Sequence, residues 1–263
     1  MKSQQFQIIV PSVSLRKTKN KINIIDTQLL FGETFKVEFF RDDWAYGFNA
    51  FDNYKGWISK DSLGFLPEFN YIISNPRSVV TSEPNVRSSF IQYLPLASRI
   101  SVEKFDKNWA KIILSDKHQF HYGFISSEQV TKKKIVYKNW VKIAESLIGT
   151  PYRWGGRDSL GLDCSSLLQL SVLFKGYSIP RDTKDQIKYF KKSPFFSVLK
   201  KNQVKNMLRG DIIYWKGHVG ILVDNKNIIH SSASHGFVLL ELLDEVQNRI
   251  KTKYIIIRSK EEL

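Results

Sequence analysis

Cysteine is almost missing from this chain: there is one, Cys164, in 263 residues. A single thiol excludes an intramolecular disulfide and any zinc site built on paired cysteines, and it fits a reducing compartment. Long apolar runs are also absent. No stretch approaches the roughly 20 residues of a membrane-spanning helix, and the segment from Met1 to Lys17 lacks the apolar core of a secretion signal. These absences predict a chain that does not span a membrane and resides in the cytoplasm. Proline is scarce, with 8 residues, while 42% of the chain is hydrophobic. Long disordered stretches are therefore excluded. After Gly155-Gly156 no Gly-Lys-Ser/Thr follows, so the chain has no phosphate-cradling loop.

Negative charge is in deficit. Forty Lys and Arg against 25 Asp and Glu give a net +15. Such a balance can serve attraction to a polyanion. Here the lysines are dispersed, and the one run, Lys132-Lys133-Lys134, falls at a join between segments. Dispersed charge reports solubility rather than a binding face, so no nucleic-acid partner is expected.

The first 130 residues carry an imperfect repeat. Asp43-Trp44-Ala45 answers to Asn108-Trp109-Ala110, and Gly56-Trp57-Ile58-Ser59 to Gly123-Phe124-Ile125-Ser126. Within each copy apolar residues alternate with polar ones, as at Phe35, Val37 and Phe39, the period of half-buried strands. Short strands at this spacing read as small barrels. From Trp140 the period changes to that of helices, and beyond Asp211 one strand follows another. The expected fold is α+β, with barrels at 1–66 and 67–131 and a catalytic domain at 132–263.

Chemistry concentrates where Thr150-Pro151-Tyr152-Arg153-Trp154-Gly155-Gly156 leads to Asp163-Cys164-Ser165-Ser166 and an apolar helix ended by Gly176. A helix N-terminus favours thiolate over thiol. Downstream, His218 opens one predicted strand and His230 lies in the next. If the connecting loop is odd in length, both imidazoles share a face of the hairpin; an even loop would part them. A cysteine, a base and a third group that orients the base make a nucleophilic triad. On this pattern Cys164 is the candidate nucleophile, His218 the base and His230 the orienting residue. His235 reads as a solvated loop residue.

Pro151-Tyr152-Arg153-Trp154-Gly155-Gly156, Asp163-Cys164-Ser165, Pro180-Arg181-Asp182, Gly210-Asp211-Ile212-Ile213-Tyr214-Trp215, His218-Val219-Gly220-Ile221 and Ile229-His230 together resemble the NlpC family of papain-like cell-wall cysteine peptidases. The trailing Gly-aromatic-Ile-Ser elements of the repeat resemble bacterial SH3-like domains. The resemblance implies a papain-like domain behind two SH3-like β-barrels, with no cofactor and no metal. It implies peptidoglycan stem peptides as substrate, cut between γ-D-glutamate and a diamino acid. Free peptides with an N-terminal L-alanine, as in wall recycling, would be favoured. By the same resemblance Tyr152, Asp163, Ser165, Arg181 and Asp182 are substrate-binding candidates. Glu33 and Tyr54 of the first barrel, as polar groups near barrel loops, are candidates for the wall of the cleft. Asp163 and Asp182 can equally be helix N-caps. Two other functional classes stay open at this point: a thiol acyltransferase on the same scaffold, and a wall-binding module without hydrolysis.

Overall fold

The computed structural model describes residues 4–19, 25–116, 119–134, 136–200, 202 and 206–260. They group into two units. Unit 1 is Met1–Ile135 with Arg157–Ser159, and unit 2 is Val136–Gly156 with Leu160–Leu263.

Unit 1 is built from short antiparallel strands. In its first half Thr34–Arg41, Trp44–Asn49 and Lys55–Ser59 form a meander, and Gln4–Ile8 and Leu63–Gly64 extend the sheet to five strands. The alternation holds at Phe35 and Val37 but ends there: the register shifts before Phe39, which is exposed, while Trp44–Asn49 buries every second residue. The inward set, with Phe35, Val37, Ala45 and Ile58, joins Ile8, Leu15 and Leu29 in one apolar core. The second half repeats the meander with Val102–Asp106, Trp109–Ser115 and Phe120–Ser126, over a separate core around Val80, Leu94, Ile112 and Ile125. Both meanders end in a short 3-10 turn, Lys60–Ser62 and Ser127–Gln129, so the sequence repeat is a structural one.

The expected two SH3-like β-barrels are not found. Closure requires the terminal strands of a sheet to bond to each other. Among the described residues the first five-stranded sheet ends on Lys55–Ser59 and Leu63–Gly64, and the second on Phe90–Pro95 and Val102–Asp106, with no pairing between the ends of either. The remaining strands form separate sheets of two and three. Alternation specifies which face of a strand is buried; it carries no information about whether the edges meet.

Unit 2 has the α+β layout. Helices α1 (Val141–Glu145), α2 (Cys164–Leu173) and α3 (Thr183–Lys192) precede strands β1 (Phe196–Lys200), β2 (Ile212–Trp215), β3 (His218–Leu222), β4 (Asn227–Ser232) and β5 (Phe237–Leu242). Helix α4 (Leu243–Ile250) and strand β6 (Ile255–Ser259) close the unit. The antiparallel sheet runs β1-β6-β2-β3-β4-β5. Every residue of α2 from Cys164 to Val172 is buried, so this helix needs apolar or satisfied side chains all round. Its polar members comply: Ser171 donates to the Leu167 carbonyl and Gln169 to that of Ile179. Against the sheet, Leu222 and Ile228 pack with Leu243 and Val246 of α4. Among the described residues no helix is long and apolar enough to cross a membrane.

Candidate active site

Cys164 is the first residue of α2, and the chain before it is shaped to place it there. Gly155 has φ +72°. Gly156 runs so close to the next backbone segment that a Cβ would lie 2.2 Å from the Gly161 carbonyl oxygen. Asp163 caps the helix: its carboxylate accepts from the Ser166 N–H at 3.0 Å, while the Ser166 hydroxyl accepts from the Asp163 N–H. The same carboxylate accepts from the Gly155 N–H and the Ser165 hydroxyl, and it takes both arms of Arg181, at 2.9 and 2.6 Å. Both partners of this ion pair are buried. Burial by itself would raise the Asp163 pKa, but Arg181 and the hydrogen bonds overcome it and hold the carboxyl below its ordinary value.

The thiol has the opposite balance. Burial first, and the Asp163 charge second, push Cys164 up to about 12, against the pull of the Val219 N–H hydrogen bond and Arg181. Val219 immediately follows His218, so the sulfur rests at the start of β3. Two Cα pairs, Ile221 with Ile229 and Leu222 with Ile228, set the register of β3 and β4, and the Val223 N–H bonds to the Asn227 carbonyl. That leaves Asp224, Asn225 and Lys226 as the loop. Its odd length puts His218 and His230 on one face, where His218 Nε2 meets His230 Nδ1 at 2.8 Å. Trp215 packs its ring against His218, with centroids 5.8 Å apart. Burial brings His218 down to about 3 and lowers His230 as well, so both rings are neutral at pH 7.

Tyr152 is half-buried beside this thiol, and burial with the charges of Cys164 and Asp163 pushes its hydroxyl up to about 12. It stays a hydrogen-bond donor at any physiological pH. Asp182 sits at the N-cap position of α3 without making a capping hydrogen bond, and burial raises its pKa. Its side chain does not serve the helix start that its position suggests. Glu33 and Tyr54 belong to unit 1. Glu33 is buried, and its carboxylate is taken up by two N–H groups of Arg157 at 2.8 and 2.9 Å. Tyr54 packs on the first apolar core. His235 is exposed, although its Nδ1 meets the Ser232 hydroxyl at 3.0 Å.

Against known families, residues 149–258 match the NlpC/P60 family. This segment is an NlpC/P60 cysteine peptidase domain. Residues 15–63 match the bacterial dipeptidyl-peptidase Sh3 domain, so one SH3-like domain lies N-terminal to it. The chain is 26% identical over 239 residues to dipeptidyl-peptidase 6 of Lysinibacillus sphaericus, covering 83% of this chain and 84% of that protein. It is also 26% identical over 234 residues to the gamma-D-glutamyl-L-lysine dipeptidyl-peptidase of Bacillus subtilis, covering 80% of this chain and 73% of that protein. A solved NlpC/P60 family protein from Bacillus cereus shares the fold, with a TM-score of 0.79 at 16% identity over 96% of this chain and 98% of that one.

Three residues of the NlpC/P60 domain carry the site although the sequence assigns none of them a role. Gln186 of α3 donates to the carbonyls of Ser165, Pro180 and Arg181 and accepts from the Tyr214 hydroxyl at 2.8 Å. It ties α3, the Arg181 segment and the start of α2 together, yet it lies in the run Thr183-Lys184-Asp185-Gln186, which reads as a solvated surface. Glu241 is a lone charge in the apolar stretch Val238-Leu239-Leu240-Glu241-Leu242, and that isolation is a signal. Its Oε2 lies 3.0 Å from His230 Nε2. Gly220, opposite His230 in the hairpin, is the third. A Cβ there would lie 2.6 Å from Ile228 Cδ1 and 3.1 Å from His230 Cβ. Gly220→Ala is therefore expected to part β3 from β4, destabilising the domain by about 1–3 kcal/mol. A thermal melt checks this; an unchanged Tm would show that the hairpin absorbs the methyl group.

Proposed function

We propose that this chain is a peptidoglycan hydrolase that cuts stem peptides between γ-D-glutamate and the diamino acid, with Cys164 as nucleophile, His218 as base and His230 as its orienting group. The observation that carries the reading is the meeting of a helix-terminal thiol with the strand that His218 opens, in line with His230. Burial disfavours a lone thiolate and a lone imidazolium alike. Moving the proton from sulfur to imidazole creates both charges together with no change of net charge, which makes proton transfer inside the pair the accessible route.

The sulfur then attacks the γ-carbonyl carbon. The oxyanion that forms lies near the Cys164 N–H, which as the first in its helix has no intrahelical partner, and near the Tyr152 hydroxyl. As the C–N bond breaks, His218 returns its proton to the departing amine of the diamino acid, leaving a thioester on Cys164. Water, deprotonated by His218, hydrolyses the thioester and restores the thiol. Asp182, half-buried and not spent on capping α3, is the carboxylate offered to the substrate's ammonium.

Two relatives whose names describe dipeptidyl-peptidases and the dipeptidyl-peptidase type of the SH3-like match support release of an N-terminal dipeptide. The substrate is then a free murein peptide beginning with L-alanine. Wild-type protein incubated with L-Ala-γ-D-Glu-meso-diaminopimelate is expected to release diaminopimelate, detected by mass spectrometry. The same peptide with N-acetylmuramic acid on the alanine nitrogen is expected to be cut at least about tenfold more slowly, because the ammonium offered to the half-buried Asp182 carboxylate is lost. Equal cutting of both would remove the requirement for a free N-terminus. Failure to cut either would remove the proposed bond.

A further inference from the structure

We infer that Glu241 and Arg249 are positioning residues, the far end of a side-chain relay that decides which nitrogen of His218 carries its proton and which is left bare. The inference rests on the reading of His218 as the base.

The relay crosses three adjacent strands and ends on a helix. His230 pairs with Leu239 across β4 and β5, so Glu241, two residues on, is its diagonal neighbour on the same face. The Glu241 carboxylate meets His230 Nε2 at 3.0 Å and takes two N–H groups of Arg249, on α4, at 2.5 and 2.7 Å. Arg249 fixes the carboxylate in a two-point grip and leaves one lone pair for the imidazole. His230 is buried, and the Glu241 side chain is only 9% exposed.

The chemistry of a neutral imidazole does the rest, since each ring has one N–H and one bare nitrogen. Ionised Glu241 can only accept, so His230 must carry its proton on Nε2 and leave Nδ1 bare. A bare Nδ1 accepts at 2.8 Å from His218 Nε2, which must therefore be the protonated nitrogen of His218. His218 Nδ1 is then bare, the state a base needs. Had the chain ended on a donor, both tautomers would reverse, and His218 Nδ1 would carry the proton. The carboxylate thus acts through two rings on an atom it does not touch.

Arg249 and Glu241 also act on proton affinity with opposite signs. Glu241 favours the imidazolium forms of His218 and His230, and Arg249 disfavours them. The other groups acting on this set are His235 in the loop after β4, which opposes His230 protonation, and Glu245 beside Arg249, while the Cys164 thiol on α2 accepts from the Val219 N–H, next to His218. Arg249 is about a third exposed, so its part is screened and weakens with salt.

The decisive measurement is a two-bond 1H–15N spectrum of wild-type protein labelled at histidine, at pH 7.5. The expected result is N–H on Nε2 and a bare Nδ1 for both His218 and His230. An N–H on Nδ1 of either ring overturns the relay, and since no substitution is involved, folding does not confuse the outcome. In Glu241→Gln the amide can donate, so the tautomers should mix and kcat should fall by about 10- to 100-fold with KM little changed; Glu241→Asp should recover most of the loss. The acid limb of kcat/KM should move to lower pH in Glu241→Gln and to higher pH in Arg249→Met. A pair serving only to tie β5 to α4 would lower stability in both variants and move neither limb, and that result also overturns the inference. Cys164→Ala tests the underlying reading separately, because it abolishes turnover whatever the tautomers are.

Discussion

Cys164→Ala should lower kcat on L-Ala-γ-D-Glu-meso-diaminopimelate by at least about 10⁴-fold, to the level set by binding and oxyanion contacts alone. No other thiol exists in the chain to substitute for it. The fold should be little affected. The N-terminus of α2 is held by Asp163 and Ser166, and the sulfur contributes only its own burial and hydrogen bonds from the Val219 and Ser165 N–H groups. The stability loss is accordingly about 1 kcal/mol. Mass spectrometry of the product beside a thermal melt separates the two effects. Turnover within tenfold of wild type in a folded variant would remove Cys164 as nucleophile. Cys164→Ser is expected to be nearly as inactive, since a hydroxyl can keep the Val219 contact but ionises far less readily than a thiol at the same burial.

That centre was legible because its signals are local. A lone cysteine after Asp163, a helix stopped by Gly176 at φ +93°, and two histidines bracketing a short loop can all be read within a few residues of each other. The loop parity even specified a geometric condition, and Asp224–Lys226 meets it. The relay beyond His230 was not legible. Pairing Glu241 with His230 requires the register of β4 against β5, and Arg249 requires α4, which is absent from a reading of strand after strand. The helical spacing of Leu243, Val246 and Ile250 was there to be noticed. In unit 1 the alternation marked Phe35 and Val37, which do join the core, but it also marked Phe39, which is 47% exposed because the register against Trp44–Asn49 shifts between Val37 and Phe39. Barrel closure failed as an expectation because it depends on edge pairing between distant strands, which no local pattern encodes. Asp163 shows a third case. Both of its sequence readings, cap and cleft residue, name a carboxylate, but only the structure shows that Arg181 takes it up.

Arg181→Met should produce the largest loss of stability of any single change near the thiol, about 3–5 kcal/mol at neutral pH, because it leaves the buried Asp163 carboxylate without its countercharge. In the wild type Asp163 titrates below its unfolded value of about 3.9. Its contribution is therefore fully present above that pH and is lost as pH falls through the depressed folded value. With the guanidinium gone, burial is opposed only by the Gly155 and Ser166 N–H groups and the Ser165 hydroxyl, and the folded pKa rises. The variant then gains stability as pH falls through that raised value, where the wild type's Asp163 contribution is still fully present. The difference between them should be greatest near pH 7.5 and should shrink toward pH 4.5, as read by urea unfolding at both. An equal difference at the two pH values would mean that lost packing of the Arg181 stem, not the stranded charge, sets the cost. Asp163→Asn in the same background should recover part of the loss, since it removes the charge and keeps a capping side chain. The same substitution reaches the chemistry. Arg181 is one of the groups that hold the Cys164 thiol down, so folded Arg181→Met should be alkylated by iodoacetamide more slowly than wild type at pH 7.5. Asp163→Asn, which removes the charge that pushes the thiol up, should reverse that slowing.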